Sequence, residues 1–375
     1  TGDVVDEWTS TKERHEIENL VVGKIYILHE DLSPMGFAIA QDIEFLVTEK
    51  KEDQHIEMVD KKVTVSKIDV AGEEVEGAEL KVIDKETGDI VDEWTSTKEK
   101  HQIENLVVGK TYILHENLAP LGFAIAQDIE FTVTEEKENQ HIEMVDKRVE
   151  IIKIDSLDSR IVEGAELTIF DKETGKVVDQ TISNNKSWYA SNLVEGKTYI
   201  LRETKVPIGY EVAEDIEFTV ATDKETQKIE MKDAPILTKI QVNKVDSITK
   251  KPIKSLDFEF TLYADEECTQ VLQVVKGNKE NGTAIFEGLR YGTVYVKETK
   301  APKGYKLSDE VKKIVIDDNL EGVGNTHSFV YENTLLPSIT IPNTGDDSSI
   351  FTGIMSILTT LIGIGLITGR RKNVL

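Results

Sequence analysis

Residues 1–63 align without a gap onto residues 87–149 and differ at 11 of 63 positions, with "DEWTSTKE", "IENLVVGK" and "GFAIAQDIEF" identical in both copies. A third copy runs from "TGKVVDQ" at Thr174 to "IEMKDAP" and keeps "EGKTYIL" and "DIEFTV". A fourth, over roughly 236–334, keeps a skeleton of "VNKVD", "YGTVYVKETKAPKGY" and "FVYEN". A period of about 87 residues is too long for a solenoid repeat and suits a small domain with its own core. The chain therefore reads as a row of like domains: a truncated repeat over 1–60, then complete repeats over 61–147, 148–234 and 235–336. The opening "TGDVVDEW" reads like the middle of a domain and has no initiator Met, so an N-terminal portion of the natural protein is expected to precede it.

Within a repeat the signals are strand. Short runs alternate apolar and polar residues, as in Val63-Thr64-Val65-Ser66, Glu79 to Ile83, Thr111 to Leu114 and Ile129 to Val133. Turn residues separate them at Ala71-Gly72, Glu86-Thr87-Gly88, Val108-Gly109-Lys110 and Ala119 to Gly122. About seven such strands in fewer than a hundred residues predict a small antiparallel β-sandwich of immunoglobulin-like type. Hydrophobic residues at 39% are enough to pack such cores, and no helical periodicity is sustained before residue 350. With one cysteine, Cys268, there can be no internal disulfide. A net charge of −26 excludes ordinary nucleic-acid binding, which needs a basic face.

Strand parity exposes an anomaly, because residues i and i+2 share a face. Val63 and Val65 are continued by Lys67, Val149 and Ile151 by Lys153, and Ile240 and Val242 by Lys244. A middle strand does the same with glutamate: Tyr112, Leu114, Glu116; Tyr199, Leu201, Glu203; Val294, Val296, Glu298. Truncated repeat one retains Tyr26, Leu28, Glu30. The last strand ends on the apolar side with Asp60, Asp146, Asp233 or Asn333. Such residues are almost never fully buried unless paired. One reading is a strand end open to water, or an ordinary ion pair.

Chemistry offers a sharper one. Desolvation pushes a lysine pKa down and a carboxyl pKa up, making a neutral amine beside a protonated acid accessible. A desolvated amine is a nucleophile. Held against an Asp or Asn side-chain carbonyl, with Glu to polarise it and move protons, it can form an isopeptide bond.

These residues resemble a known family. "VSKID…YILHENLAPLGF…HIEMVD" and "VNKVD…YVKETKAPKGY…FVYEN" are similar to the collagen-adhesin B-type (SpaA-type, prealbumin-like) domains of Gram-positive surface proteins and pilins. The family's Glu-Thr-x-Ala-Pro-x-Gly-Tyr signature, with an aromatic residue shortly before it, fits best at Tyr295 to Tyr305. Repeat three has Val206-Pro207 for Ala-Pro, and repeats one and two carry Asp31 and Asn117 for the Thr and Phe37 and Phe123 for the final Tyr. The resemblance implies bond-forming sets Lys67/Glu116/Asp146, Lys153/Glu203/Asp233 and Lys244/Glu298/Asn333, with Glu30/Asp60 an incomplete set. The glutamates would act as proton relays for a single self-directed turnover, so no cofactor and no turnover enzyme are expected.

Past Leu336 the composition changes. A polar linker over 337–349 carries "IPNTG", Ile341, Pro342, Asn343, Thr344 and Gly345. An uncharged run from Ile350 to Thr368 is long enough to span a bilayer as a helix, so 350–369 is a predicted transmembrane segment. Arg370, Arg371 and Lys372 place the tail 370–375 in the cytoplasm. In this order the three elements resemble a sortase cell-wall sorting signal, usually Leu-Pro-x-Thr-Gly, with Ile341 for Leu. The resemblance implies cleavage between Thr344 and Gly345, sortase and peptidoglycan as partners, and a membrane segment present only in the precursor.

A cell-surface stalk or pilin-like shaft, stiffened by self-formed bonds and carrying an N-terminal head for a host or matrix protein, is the favoured function. The alternative is an adhesin whose repeats themselves bind such ligands, although aromatics are 6% and the outward strand positions are mostly Glu, Lys, Asp and Thr. His15, His29, His55, His101, His115 and His141 lack close ligand spacing, and no metal site is expected. Trp8 and Trp94 read as strand residues, and Cys268 as an inert loop residue.

Overall fold

Alternation of apolar and polar side chains decides the strands, and turn residues decide where they stop. The computed structural model describes residues 2–50, 52–134, 136, 138–223, 225–320 and 325–338. The sorting motif at 341–345, the membrane segment at 350–369 and the basic tail lie outside the described residues. Among the described residues, no helix is long and apolar enough to cross a membrane. The chain divides into two compact units, one of residues 1–238 with 290–292 and 316–319, the other holding most of repeat four.

Repeat one contributes a hairpin, β1 (Ile25–Leu28) with β2 (Ile43–Leu46). Repeat two has seven strands: β3 (Val63–Asp69), β4 (Glu79–Asp84), β5 (Ile90–Thr95), β6 (His101–Gln102), β7 (Thr111–Leu118), β8 (Ile129–Thr132) and β9 (Gln140–Asp146). They form a three-stranded sheet, β6-β3-β9, and a four-stranded sheet, β5-β4-β7-β8. Repeat three copies this with β10 (Val149–Asp155), β11 (Glu166–Asp171), β12 (Val177–Ile182), β13 (Trp188–Tyr189), β14 (Thr198–Lys205), β15 (Ile216–Thr219) and β16 (Gln227–Asp233). Repeat four does so with β17 (Thr238–Asp246), β18 (Glu259–Tyr263), β19 (Val271–Lys276), β20 (Thr283–Leu289), β21 (Gly292–Lys300), β22 (Val311–Ile316) and β23 (Thr326–Asn333).

The inward faces make one core per repeat. Val65, Leu80, Tyr112, Leu114 and Met144 pack together in repeat two, and Ile151, Leu167, Tyr199, Leu201 and Met231 in repeat three. Each core tyrosine keeps its hydroxyl satisfied: the Val107 N–H donates to Tyr112 at 2.9 Å and the Val194 N–H to Tyr199 at 2.8 Å.

One expectation needs correction. The sandwich is not wholly antiparallel, because the first and last strands of every complete repeat pair in parallel: β3 with β9, β10 with β16, β17 with β23. Alternation reports which face a residue occupies and is silent about the direction of the neighbouring strand. The register sets Lys67 opposite Met144 and Asp69 opposite Asp146, so Asp146 lies diagonally beyond Lys67 on the same face.

Repeats one, two and three are joined by a recurring backbone ladder. The Ile39 N–H donates to Leu106 O at 2.8 Å and the Val108 N–H to Ile39 O at 2.9 Å. One repeat later, the Ile125 N–H donates to Leu193 O at 2.8 Å and the Glu195 N–H to Ile125 O at 2.9 Å. The loop that reaches across begins with a tight turn, in which the Phe123 N–H donates to Pro120 O at 3.1 Å. Gly122 at φ 81 supplies the left-handed residue that such a turn requires at its third position.

Candidate functional site

The lysine strand and the last strand are neighbours in one sheet and the glutamate strand lies in the other, and the sandwich brings their anomalous residues together. In repeat two the Lys67 ammonium lies 2.9 Å from Glu116 Oε1 and donates a short hydrogen bond to Asp146 Oδ1. In repeat three Lys153 lies 3.1 Å from Glu203 Oε1 and donates to Asp233 Oδ1. In repeat four Lys244 lies 2.8 Å from Glu298 Oε1 and donates to Asn333 Oδ1. All nine side chains are at most 4% exposed. They are neither strand ends open to water nor surface ion pairs.

The electrostatics follow from that burial. Loss of water, reinforced by the Glu116 carboxylate and opposed by Lys67, pushes Asp146 up to about 7. The same causes raise Asp233 to about 6. Asp146 Oδ2 and Asp233 Oδ2 are buried and accept no hydrogen bond from a protein donor. Burial also pushes Lys244 below the ordinary lysine value, with Glu298 opposing. Its ammonium sits 4.4 Å from the ring centre of Tyr331 and 5.1 Å from that of Phe260. Asn333 directs its amide toward the relay: Nδ2 donates to both Glu298 oxygens at 3.0 Å and to Lys306 O at 3.0 Å.

Repeat one holds the remnant set. Glu30 and Asp60 approach each other, and burial raises both. Ile56 and Met58 are half-buried there, whereas their counterparts Ile142 and Met144 are buried. Among the described residues no lysine joins this pair.

Two features escaped the sequence reading. A backbone N–H holds the far oxygen of each glutamate: Ala126 to Glu116 Oε2 at 2.6 Å, Ala213 to Glu203 at 2.8 Å, Ser308 to Glu298 at 3.0 Å. Repeat one keeps this contact too, from Ala40 to Glu30 at 2.7 Å. The constant offset of ten residues was the available signal. In addition, a register shift follows each glutamate: Glu116 faces Leu80 while Leu118 faces Glu79, leaving Asn117 as the extra residue. The same shift recurs at Glu203 and Glu298, as expected of bulges that re-aim a side chain.

The histidines take other roles. His115 meets Asp128 at 2.7 Å and His29 meets Asp42 on the outer face, while His101 stacks on Trp94 at 4.0 Å between ring centres. Among the described residues no group of three His, Cys, Asp or Glu could hold a metal ion.

Comparison with known proteins adds the following. The SpaA family, described as a prealbumin-like fold domain, matches residues 61–148, 147–235 and 238–326. The trypsin-resistant surface T6 protein of Streptococcus pyogenes is 31% identical over 141 residues, which are 37% of this chain and 22% of that protein. The chain thus spans about a fifth of the length of this curated relative. Among solved structures, the Bacillus anthracis TIE protein is similar at 23% identity and a TM-score of 0.40, covering 78% of this chain and 54% of that one. A streptococcal ancillary pilin is similar at 16% identity and 0.28, covering 74% and 99%. The major pilin subunit of Bacillus cereus is similar at 18% identity and 0.26, covering 73% and 99%. Three successive family matches fall on the three sandwiches that carry the buried sets, and the chain belongs to the SpaA family of prealbumin-like fold domains.

Proposed function

We propose that this protein is a structural surface protein, a stalk or pilin-like shaft, in which each complete repeat closes its own isopeptide bond. The observation that carries the reading is the threefold recurrence of a buried lysine between a buried glutamate and an Asp or Asn. In repeat two the neutral Lys67 amine attacks the Asp146 carboxyl carbon, the N–C bond forms, and Oδ2 leaves as water with a proton delivered through Glu116. In repeat four Lys244 attacks the Asn333 amide carbon and Nδ2 leaves as ammonia, taking its extra proton by way of Glu298. Each reaction consumes its own side chains, so this is one turnover and not an enzyme activity.

The bonds span 79, 80 and 89 residues. By analogy with disulfide loop closure, a link over a loop of this size contributes about 4.5 kcal/mol. That gain serves a chain that has no internal disulfide and works outside the cell. The C-terminal "IPNTG", apolar run and basic tail support attachment to the cell wall by sortase, with Thr344 as the new terminus. Wall digests of the native host should then release chains ending at Thr344, and a chain still carrying Arg370 to Leu375 would contradict anchoring.

Intact mass tests the central reading. A recombinant fragment of residues 61–336 should weigh two waters and one ammonia less than its sequence. Glu116→Ala should restore one water while leaving Lys67 and Asp146 in place. An unmodified mass in folded protein would reduce the three sets to buried ion pairs and amide contacts.

A further inference from the structure

Glu195 belongs to repeat three, yet its carboxylate closes on repeat two. It lies in the loop between β13 and β14 and is buried. Its Oε1 meets the Lys147 ammonium, and its Oε2 accepts the Gln127 backbone N–H at 3.1 Å. The positions of those partners matter. Lys147 directly follows Asp146, the bond acceptor of repeat two. Gln127 directly follows Ala126, whose N–H holds the Glu116 carboxylate at 2.6 Å. The two segments are themselves tied, since the Ala124 N–H donates to Lys147 O at 2.9 Å. One side chain of the following repeat therefore fixes both backbone segments that present the acceptor and the relay of the repeat before it.

We propose that Glu195 is a positioning residue for the Lys67–Asp146 bond, so that repeat two closes at full rate only with repeat three folded against it. The proposal rests on the isopeptide reading above. Near-attack geometry is sensitive to small displacements, and a carboxylate acting as a buried charge partner and as a hydrogen-bond acceptor restrains both segments at once. The effect is specific to one junction. Counted back from the relay glutamates, Val108 and Arg290 stand at the positions equivalent to Glu195, and neither carries a carboxylate. At the earlier junction Lys61, the counterpart of Lys147, donates to a hydroxyl and not a carboxylate, Thr134 Oγ1 at 2.9 Å.

The test uses the full chain made by cell-free synthesis and sampled over time. Branched tryptic peptides for Lys67–Asp146 and Lys153–Asp233 are quantified in the same molecules. Glu195→Ala should slow the first link by about tenfold or more and leave the second, inside repeat three itself, at the wild-type rate. Glu195→Gln keeps the shape and one acceptor for the Gln127 N–H but loses the charge facing Lys147, so its rate should fall between the two. An unchanged Lys67–Asp146 rate in Glu195→Ala would overturn the proposal. Should Glu195→Ala lose both links, repeat three has not folded and Glu195→Gln decides. A slower first link beside a normal second supports the role, and wild-type rates for both overturn it. A wild-type chain with no branched peptide at all would refute the isopeptide reading, and the positioning role with it.

Discussion

Asp146 and Asn333 occupy equivalent places and differ in what pH does to them. Asp146 is a useful electrophile while it holds a proton, and burial keeps that proton up to about 7. As pH rises through that value the carboxyl ionises, so closure of repeat two should slow. Asn333 has no such proton to lose, and the neutral fraction of Lys244 grows with pH because its pKa is lowered. Closure of repeat four should therefore hold or quicken over the same range. Time-resolved peptide mapping from pH 5 to 9 checks this, and parallel profiles for the two bonds would refute it. Lys67→Ala removes the bond and leaves Asp146 buried without its counter-ion, a loss of about 3–5 kcal/mol in repeat two. Asp146 has a folded pKa above its unfolded one, so its protonated form favours the fold at low pH. Without Lys67, which opposes the rise, the carboxyl pKa moves higher still, and that support fades as pH climbs above the ordinary Asp range. Denaturant unfolding of this variant should accordingly show the larger deficit at pH 8 than at pH 5. The charged members of these sites were legible in the sequence because a charge that continues an apolar face breaks a strict pattern. The Ala126, Ala213 and Ser308 donors were not, because every residue but proline has the same N–H and its use depends on loop geometry.

At the level of strands, the number of elements and their inward faces followed from alternation and turn residues. The parallel pairing of β3 with β9 did not, since two strands 70 residues apart leave no local mark of their relative direction. The bulge after Glu116 was hidden for a similar reason: Asn117 is an ordinary strand-end residue until β4 is laid beside it. Repeat one shows what the first strand supplies. Its β1–β2 hairpin leaves the inward-facing Tyr26 and Leu28 half-buried, whereas their counterparts Tyr112 and Leu114 are buried in the closed core of repeat two. A lone two-stranded hairpin is marginal in water. A fragment of residues 1–60 should be digested rapidly by protease, and a peptide spanning Val63 to Asp69 should slow the digestion by restoring the missing strand. Resistance of the fragment alone would count against placing the boundary at residue 60.

For the whole molecule the consequence is mechanical. With Lys67 joined to Asp146, tension enters β3, crosses the side-chain link and leaves through Lys147, so the 79 intervening residue steps bear no load. Single-molecule stretching of residues 61–336 should show no unfolding step from repeat two. Glu116→Ala should add a step of roughly 250 Å, the span of those residues at ~3.4 Å each less their folded separation. Equal traces from both proteins would show that the link is not in the path of the force.

The separation of the bond partners also sets an order of events. A ribosome delivers Lys67 long before Asp146, and the loop containing Glu195 some fifty residues later again. The first-strand amine of each repeat must therefore wait, unmatched, through the synthesis of an entire domain. A chain in that interval is still an unbranched thread, able to pass end-on through any channel that admits an extended polypeptide. Once the last strand docks and the amide forms, the chain is branched and cannot return by the same route. With the proposed bonds formed, the spacing of lysine and aspartate would act as a timer that makes folding irreversible one domain at a time.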